Sequence, residues 1–81
     1  DKEILNNDFI LYPNPTYGTV KIESKEKVIE AGVFDIKGTL VSFQSIGNNQ
    51  QIELGNLISG TYILKMITED RKTISKQIIK K

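Results

Sequence analysis

The 81-residue chain contains no cysteine, no histidine and no tryptophan. Its two prolines both fall in the stretch Leu11-Tyr12-Pro13-Asn14-Pro15. Without cysteine or histidine there is no disulfide staple, no thiol nucleophile, no imidazole base and no zinc site of the usual ligand types. Serine has no histidine to activate it. The lack of disulfides suits a reducing compartment and equally a cysteine-poor bacterial extracellular protein, so it fixes no location. No apolar run approaches the ~20 residues of a membrane-spanning helix, and no secretory signal is present. The chain begins at Asp1, which reads as the C-terminal piece of something longer, and the missing signal then says nothing of the parent's destination.

What is present is an ordinary globular composition. Hydrophobic residues make up 38% and charged residues 26%, enough for one domain with a single core. A formal net charge of +1 argues against a duplex-binding or acidic-substrate surface, so no nucleic-acid partner is expected. Only the tail is biased, through Arg71, Lys72, Lys76, Lys80 and Lys81. Such lysines suit a solvated edge strand protected from aggregation, or a terminus that is recognised. Glu23, Glu26, Glu30, Glu53 and Glu69 are scattered and Asp35 belongs to a turn, which leaves no carboxylate pair for hydrolysis. The glycines form no phosphate-cradling run into a helix. Phe9, Tyr12, Tyr17, Phe34, Phe43 and Tyr62 fit core or strand-end positions rather than a base-stacking platform. The chain is therefore read as a non-enzyme with no catalytic residue, metal or cofactor.

Turn residues recur every several positions and no segment sustains helical spacing, which predicts an all-β fold. Strands are expected near 9–12, 18–23, 27–35, 39–46, 50–54, 61–68 and 71–79, about seven, as in an Ig-like antiparallel β-sandwich. Alternation puts Val20 with Ile22, then Ile29, Ala31 and Val33, then Ile52 and Leu54, then Tyr62, Leu64 and Met66 on core-facing sides. The strand over 61–68 is apolar on both faces, through Ile63 and Ile67, and belongs at the centre of a sheet or under a partner. Asp35-Ile36-Lys37-Gly38 has the Asp and Gly of a type I turn, Asn48-Asn49 is another turn signal, and Glu69-Asp70 closes the last hairpin without a glycine. Residues 1–8 read as a polar linker and 9–81 as the domain.

Two signatures remain. In Tyr12-Pro13-Asn14-Pro15 the prolines remove donors and stiffen a strand end. In Ser59-Gly60-Thr61-Tyr62 the glycine eases a turn into a strand, and the tyrosine buries its ring while its hydroxyl keeps a partner. Each is explained by structure alone. Together with Gly18, the run from Val33 to Gly38, Leu40-Val41, Leu57, Leu64 and the tail Lys76-Gln77-Ile78-Ile79-Lys80-Lys81, they follow a known order and spacing. From Leu11 to Lys81 the chain resembles the type A C-terminal sorting domain of proteins exported by the type IX secretion system of Bacteroidetes-type bacteria. Ile58 departs from the pattern, where a small or polar residue is more usual.

The resemblance implies a non-catalytic label at the end of a larger cargo protein. Such a cargo passes through the periplasm, is recognised by an outer-membrane translocon and shuttle protein, and is cut by a sortase-like peptidase ahead of the domain. It then stays on the cell surface or is secreted. By that likeness the cut falls in or upstream of residues 1–8, and Pro13, Asn14, Pro15, Gly60, Tyr62, Lys80 and Lys81 are the candidate recognition residues. Loss of the last five residues from a domain that stays folded is expected to stop export, and strand addition along 71–79 is a route for docking. A homodimer is a further expectation. The alternative is an Ig-like accessory or carbohydrate-binding module of an extracellular enzyme or adhesin, which needs an exposed aromatic platform for which Tyr12 and Tyr17 are available.

Overall fold

Alternation of buried and exposed residues builds most of the strands, as in Thr19–Glu23, where Val20 and Ile22 point inward between exposed neighbours. The computed structural model describes residues 9–81; the linker expected over 1–8 lies outside the described residues. Seven strands follow in order: β1 (Ile10–Tyr12), β2 (Thr19–Glu23), β3 (Val28–Phe34), β4 (Leu40–Ser45), β5 (Gln51–Glu53), β6 (Gly60–Thr68) and β7 (Thr73–Lys80). They form a three-stranded sheet, β1-β2-β5, facing a four-stranded sheet, β4-β3-β6-β7, with every pairing antiparallel. In immunoglobulin lettering this is A-B-E against C′-C-F-G, the sandwich expected from the sequence.

The core lies between the sheets. Val20, Ile52, Leu54, Val33, Leu64, Met66 and Ile78 are fully buried, with Tyr62, Ile22 and Ala31 beside them. One core assignment needs correction. Ile29 is only half-buried and Val28 takes its place, because the ladder from β3 to β6 shifts register between Val28 and Glu30. That bulge reverses the side-chain parity upstream of it, so Val28 joins Ala31 and Val33 on the inner face. β6 sits centrally between β3 and β7, and Ile63 and Ile67 are half-buried on its second face.

The turns work as their residues dictate. The Gly38 N–H donates to the Asp35 carbonyl at 3.0 Å, and the Asp35 carboxylate accepts from the Lys37 and Thr39 N–H groups, both at 2.9 Å. Gly38 has φ +93°, a conformation open to glycine at little cost. The turn between β6 and β7 closes the same way, with the Arg71 N–H on the Thr68 carbonyl at 3.0 Å, but here Arg71 takes the left-handed position at φ 71°.

Side-chain amides stitch the sheets together. Gln44 on β4 donates to the Glu53 carbonyl at 2.6 Å and accepts from its N–H at 2.9 Å. Gln50, leading into β5, accepts from the Val28 N–H at 2.9 Å and donates to the Val28 carbonyl at 2.8 Å. Each amide presents a donor and an acceptor side by side, as a peptide group does, and so satisfies backbone at an edge where the sandwich has no ladder.

Candidate functional site

After β1 the chain leaves the three-stranded sheet and crosses to the outer edge of β7. Pro13 and Pro15 have no N–H to give, so the pairing falls to the Asn14 side chain and the Thr16 backbone. Asn14 Oδ1 accepts from the Ile79 N–H at 3.1 Å, and Nδ2 donates to the Gln77 carbonyl at 3.4 Å. The Thr16 N–H donates to the Ile79 carbonyl, and the Lys81 N–H donates to the Thr16 carbonyl, both at 2.8 Å. Thr16 and Lys80 form a parallel bridge. The buried Thr16 hydroxyl donates to the Thr19 carbonyl at 3.0 Å and accepts from the Gly18 N–H at 3.1 Å, which fixes the turn into β2. Both the Tyr12-Pro13 and Asn14-Pro15 peptide bonds are cis.

The second signature meets this strap from the other side of β7. Gly60 pairs with Lys80 and Tyr62 with Ile78. The buried Tyr62 ring sends its hydroxyl to the Ile58 carbonyl at 2.7 Å, a tyrosine corner at the entry to strand F. Lys80 is buried to 8% exposure, and its ammonium donates to the Leu57 carbonyl at 3.0 Å and the Lys81 carbonyl at 3.3 Å. Lys81 is exposed, with its ammonium 5.8 Å from the centroid of the Tyr17 ring.

All the candidate recognition residues thus converge on one end of the sandwich, although they come from opposite ends of the chain. Tyr62 and Lys80 are buried in holding it together, whereas Pro13, Asn14, Pro15, Gly60 and Lys81 are exposed. Thr16 belongs to the same arrangement and was not singled out by sequence, while Tyr17, read there as an available exposed aromatic, sits beside Lys81. The signal was the threonine two residues ahead of Gly18, the pattern of a hydroxyl-capped turn. Ile58, the departure from the family pattern, is 82% exposed and gives the fold only its carbonyl, so the core makes no demand on its side chain.

Strand directions place the loops at 13–18, 35–39 and 54–59 at this end, together with Lys81. The most exposed large apolar side chains of the described residues are here: Ile58, Tyr17 at 77% and Ile36 at 76%. The loops at 24–27, 46–50 and 69–72 form the opposite end, which is polar and ionic. Lys72 Nζ lies 2.9 Å from Glu26 and 3.5 Å from Asp70, and Lys27 bonds to Asn48. The Thr68 hydroxyl, with Lys72 beyond it, holds the Asp70 carboxyl below its usual range. Glu26 first, then Asp70, raises the Lys72 ammonium above its own.

The expected exposure of the 71–79 edge is corrected in part. The strap covers the outward groups of Gln77 and Ile79, leaving those of Thr73 and Ser75 without a backbone partner among the described residues.

The profile of the family described as secretion system C-terminal sorting domain matches residues 10–81, the whole span from the first residue of β1 to Lys81. The chain belongs to that family. It is a C-terminal sorting signal of type IX secretion, of a family that is not one of enzymes. A sorting domain is part of a larger cargo protein handled by the secretion machinery, and its destination is the cell surface or the medium. No curated protein matches the chain.

Proposed function

We propose that the sorting domain is read as a folded unit, at the end of the sandwich where Pro13, Asn14, Pro15, Gly60 and Lys81 are exposed. The observation that carries this reading is the coincidence, at one end, of the family's signature loops with the most exposed apolar side chains, Ile58, Tyr17 and Ile36. Exposed apolar groups beside cations are what a protein partner uses for affinity and orientation, and nothing in the core requires them there. Tyr62, Lys80 and Thr16 act on recognition by holding the strap and β7 in register. The partners in this reading are the outer-membrane translocon and its shuttle protein, met after the cargo has crossed into the periplasm. A sortase-like peptidase then cuts in or upstream of residues 1–8, and the cargo is attached to the surface or released. Any strand addition to β7 is confined to the stretch from Thr73 to Ser75, because Asn14 and Thr16 occupy the outward groups of Gln77 and Ile79.

The test is a fluorescent reporter fused ahead of this domain, behind a periplasmic export signal, in a type IX-competent bacterium and its translocon-deficient mutant. Reporter on the surface or in the medium of the competent strain only, with the domain removed, is the expected result. Periplasmic, uncut reporter in both strains, with the domain folded, contradicts it.

A further inference from the structure

The outward face of the four-stranded sheet is apolar at its centre, where that of the three-stranded sheet is charged. On the latter, Thr19, Lys21, Glu23 and Glu53 stand exposed, with Ile10 and Tyr12 on the β1 edge. On the former, Phe43 is 57% and Leu40 50% exposed. With Phe34, Ile67 and Lys65 they surround a hollow of about 250 Å³ whose floor is Gly32. A Cβ on Gly32 would stand 3.1 Å from the Phe34 ring, so the missing side chain is what opens the hollow. By the ladder registers, Lys65 and Glu30 are the charged residues on this face, on neighbouring strands and one row apart. They make no ion pair with each other, and the Lys65 ammonium sits 4.9 Å from the centroid of the Phe34 ring.

We propose that this face is where two copies of the sorting domain meet. Its two charges are of opposite sign, so a two-fold contact between two copies can pair them without like-charge repulsion. A two-fold axis that lays Lys65 of each copy against Glu30 of the other crosses the two sheets at roughly a right angle, a known mode of sheet packing, and brings Phe43 beside its counterpart. Four strands ~4.8 Å apart and ~20 Å long cover roughly 400 Å² per copy. That is about half the ~800 Å² per partner of a standard stable interface, so the dimer is weak and forms only at high protein concentration. The contact leaves the signature end uncovered, so it is independent of how the machinery reads the domain.

Sedimentation velocity on the purified domain, from ~10 µM to ~2 mM, tests this. The expected result is a monomer that passes to a dimer across that range. Phe43→Lys should weaken association at least ~tenfold with an unchanged melt, because the side chain is exposed in the monomer. Lys65→Glu should also weaken it, and Glu30→Lys combined with Lys65→Glu should restore it, which a merely sticky patch would not do. A monomer throughout the range overturns the proposal, as does a dimer indifferent to Phe43→Lys or a charge exchange that fails to rescue. If the domain stays monomeric while Phe43→Lys stops export of the reporter, the face serves a different protein and the second copy is excluded.

Discussion

The two ends of the sandwich are built by the same strands and differ in almost every other respect. At the signature end, backbone and amide hydrogen bonds tie the strap to β7, a tyrosine corner and a buried lysine hold the Ile58 and Leu57 carbonyls, and apolar side chains stand in solvent. At the opposite end, Gln50 holds Val28, and Lys72 bridges Glu26 and Asp70 in an exposed, ionic surface. Both ends use side chains to hold backbone. Only the first is over-supplied with apolar surface that the core does not need, and only the first carries the residues that mark the family. Signature residues distant in sequence thus form one object, part frame and part exposed surface.

The signature end is lost most completely if β7 is shortened. Deleting residues 77–81 removes Ile78, which is wholly buried, along with Lys80 and the strap's partners Gln77 and Ile79. The expected outcome is loss of cooperative thermal unfolding by circular dichroism, so failed export of that truncation would report misfolding rather than lost recognition.

Next in size is Gln50→Ala at the opposite end, which strands the Val28 N–H and carbonyl in part-buried surroundings and should cost about 2 kcal/mol in urea unfolding. Reporter export should survive if the domain remains folded. Tyr62→Phe removes only the bond to the Ile58 carbonyl, and Asn14→Ala removes an exposed pair of bonds, each costing about 1 kcal/mol. Asn14→Ala sharpens the contrast, since it should impair export more than Gln50→Ala despite the smaller stability loss.

The smallest effect is that of pH on the ionic end. Asp70 has a lowered pKa in the fold, so its contribution is fully present above its unfolded value of 3.8 and is lost as pH falls through the lower folded value. Lys72 has a raised pKa, so its contribution is present below 10.5 and lost as pH rises through the higher folded value. Both groups are exposed to solvent, and ~0.5 M salt should flatten both limbs of the stability profile.

The seven strands and their turns were legible in sequence because each rests on local signals: alternation in Thr19–Glu23, the Asp and Gly of the turn at 35–38, apolar residues on both faces of a central strand. Ile29 was misplaced because a bulge shifts parity without changing composition. The strap was not legible. Asn14 and Ile79 are separated by 65 positions, and nothing periodic links an amide to a backbone so far along the chain. The resemblance selected both partners as signature residues, yet their contact, and the division between buried Lys80 and exposed Lys81, required the fold.

The most direct measurement pairs the two ends in one export assay. One variant changes exposed signature-end residues, Tyr17→Ser, Ile58→Ser and Lys81→Glu; the other changes exposed residues of the opposite end, Lys25→Glu, Asn48→Ser and Arg71→Gly. Both are first verified to melt cooperatively near the parent. The expected result is reporter held in the periplasm by the first set and exported normally with the second. Equal export of both, or loss with the second set alone, would contradict the placement of recognition at the signature end.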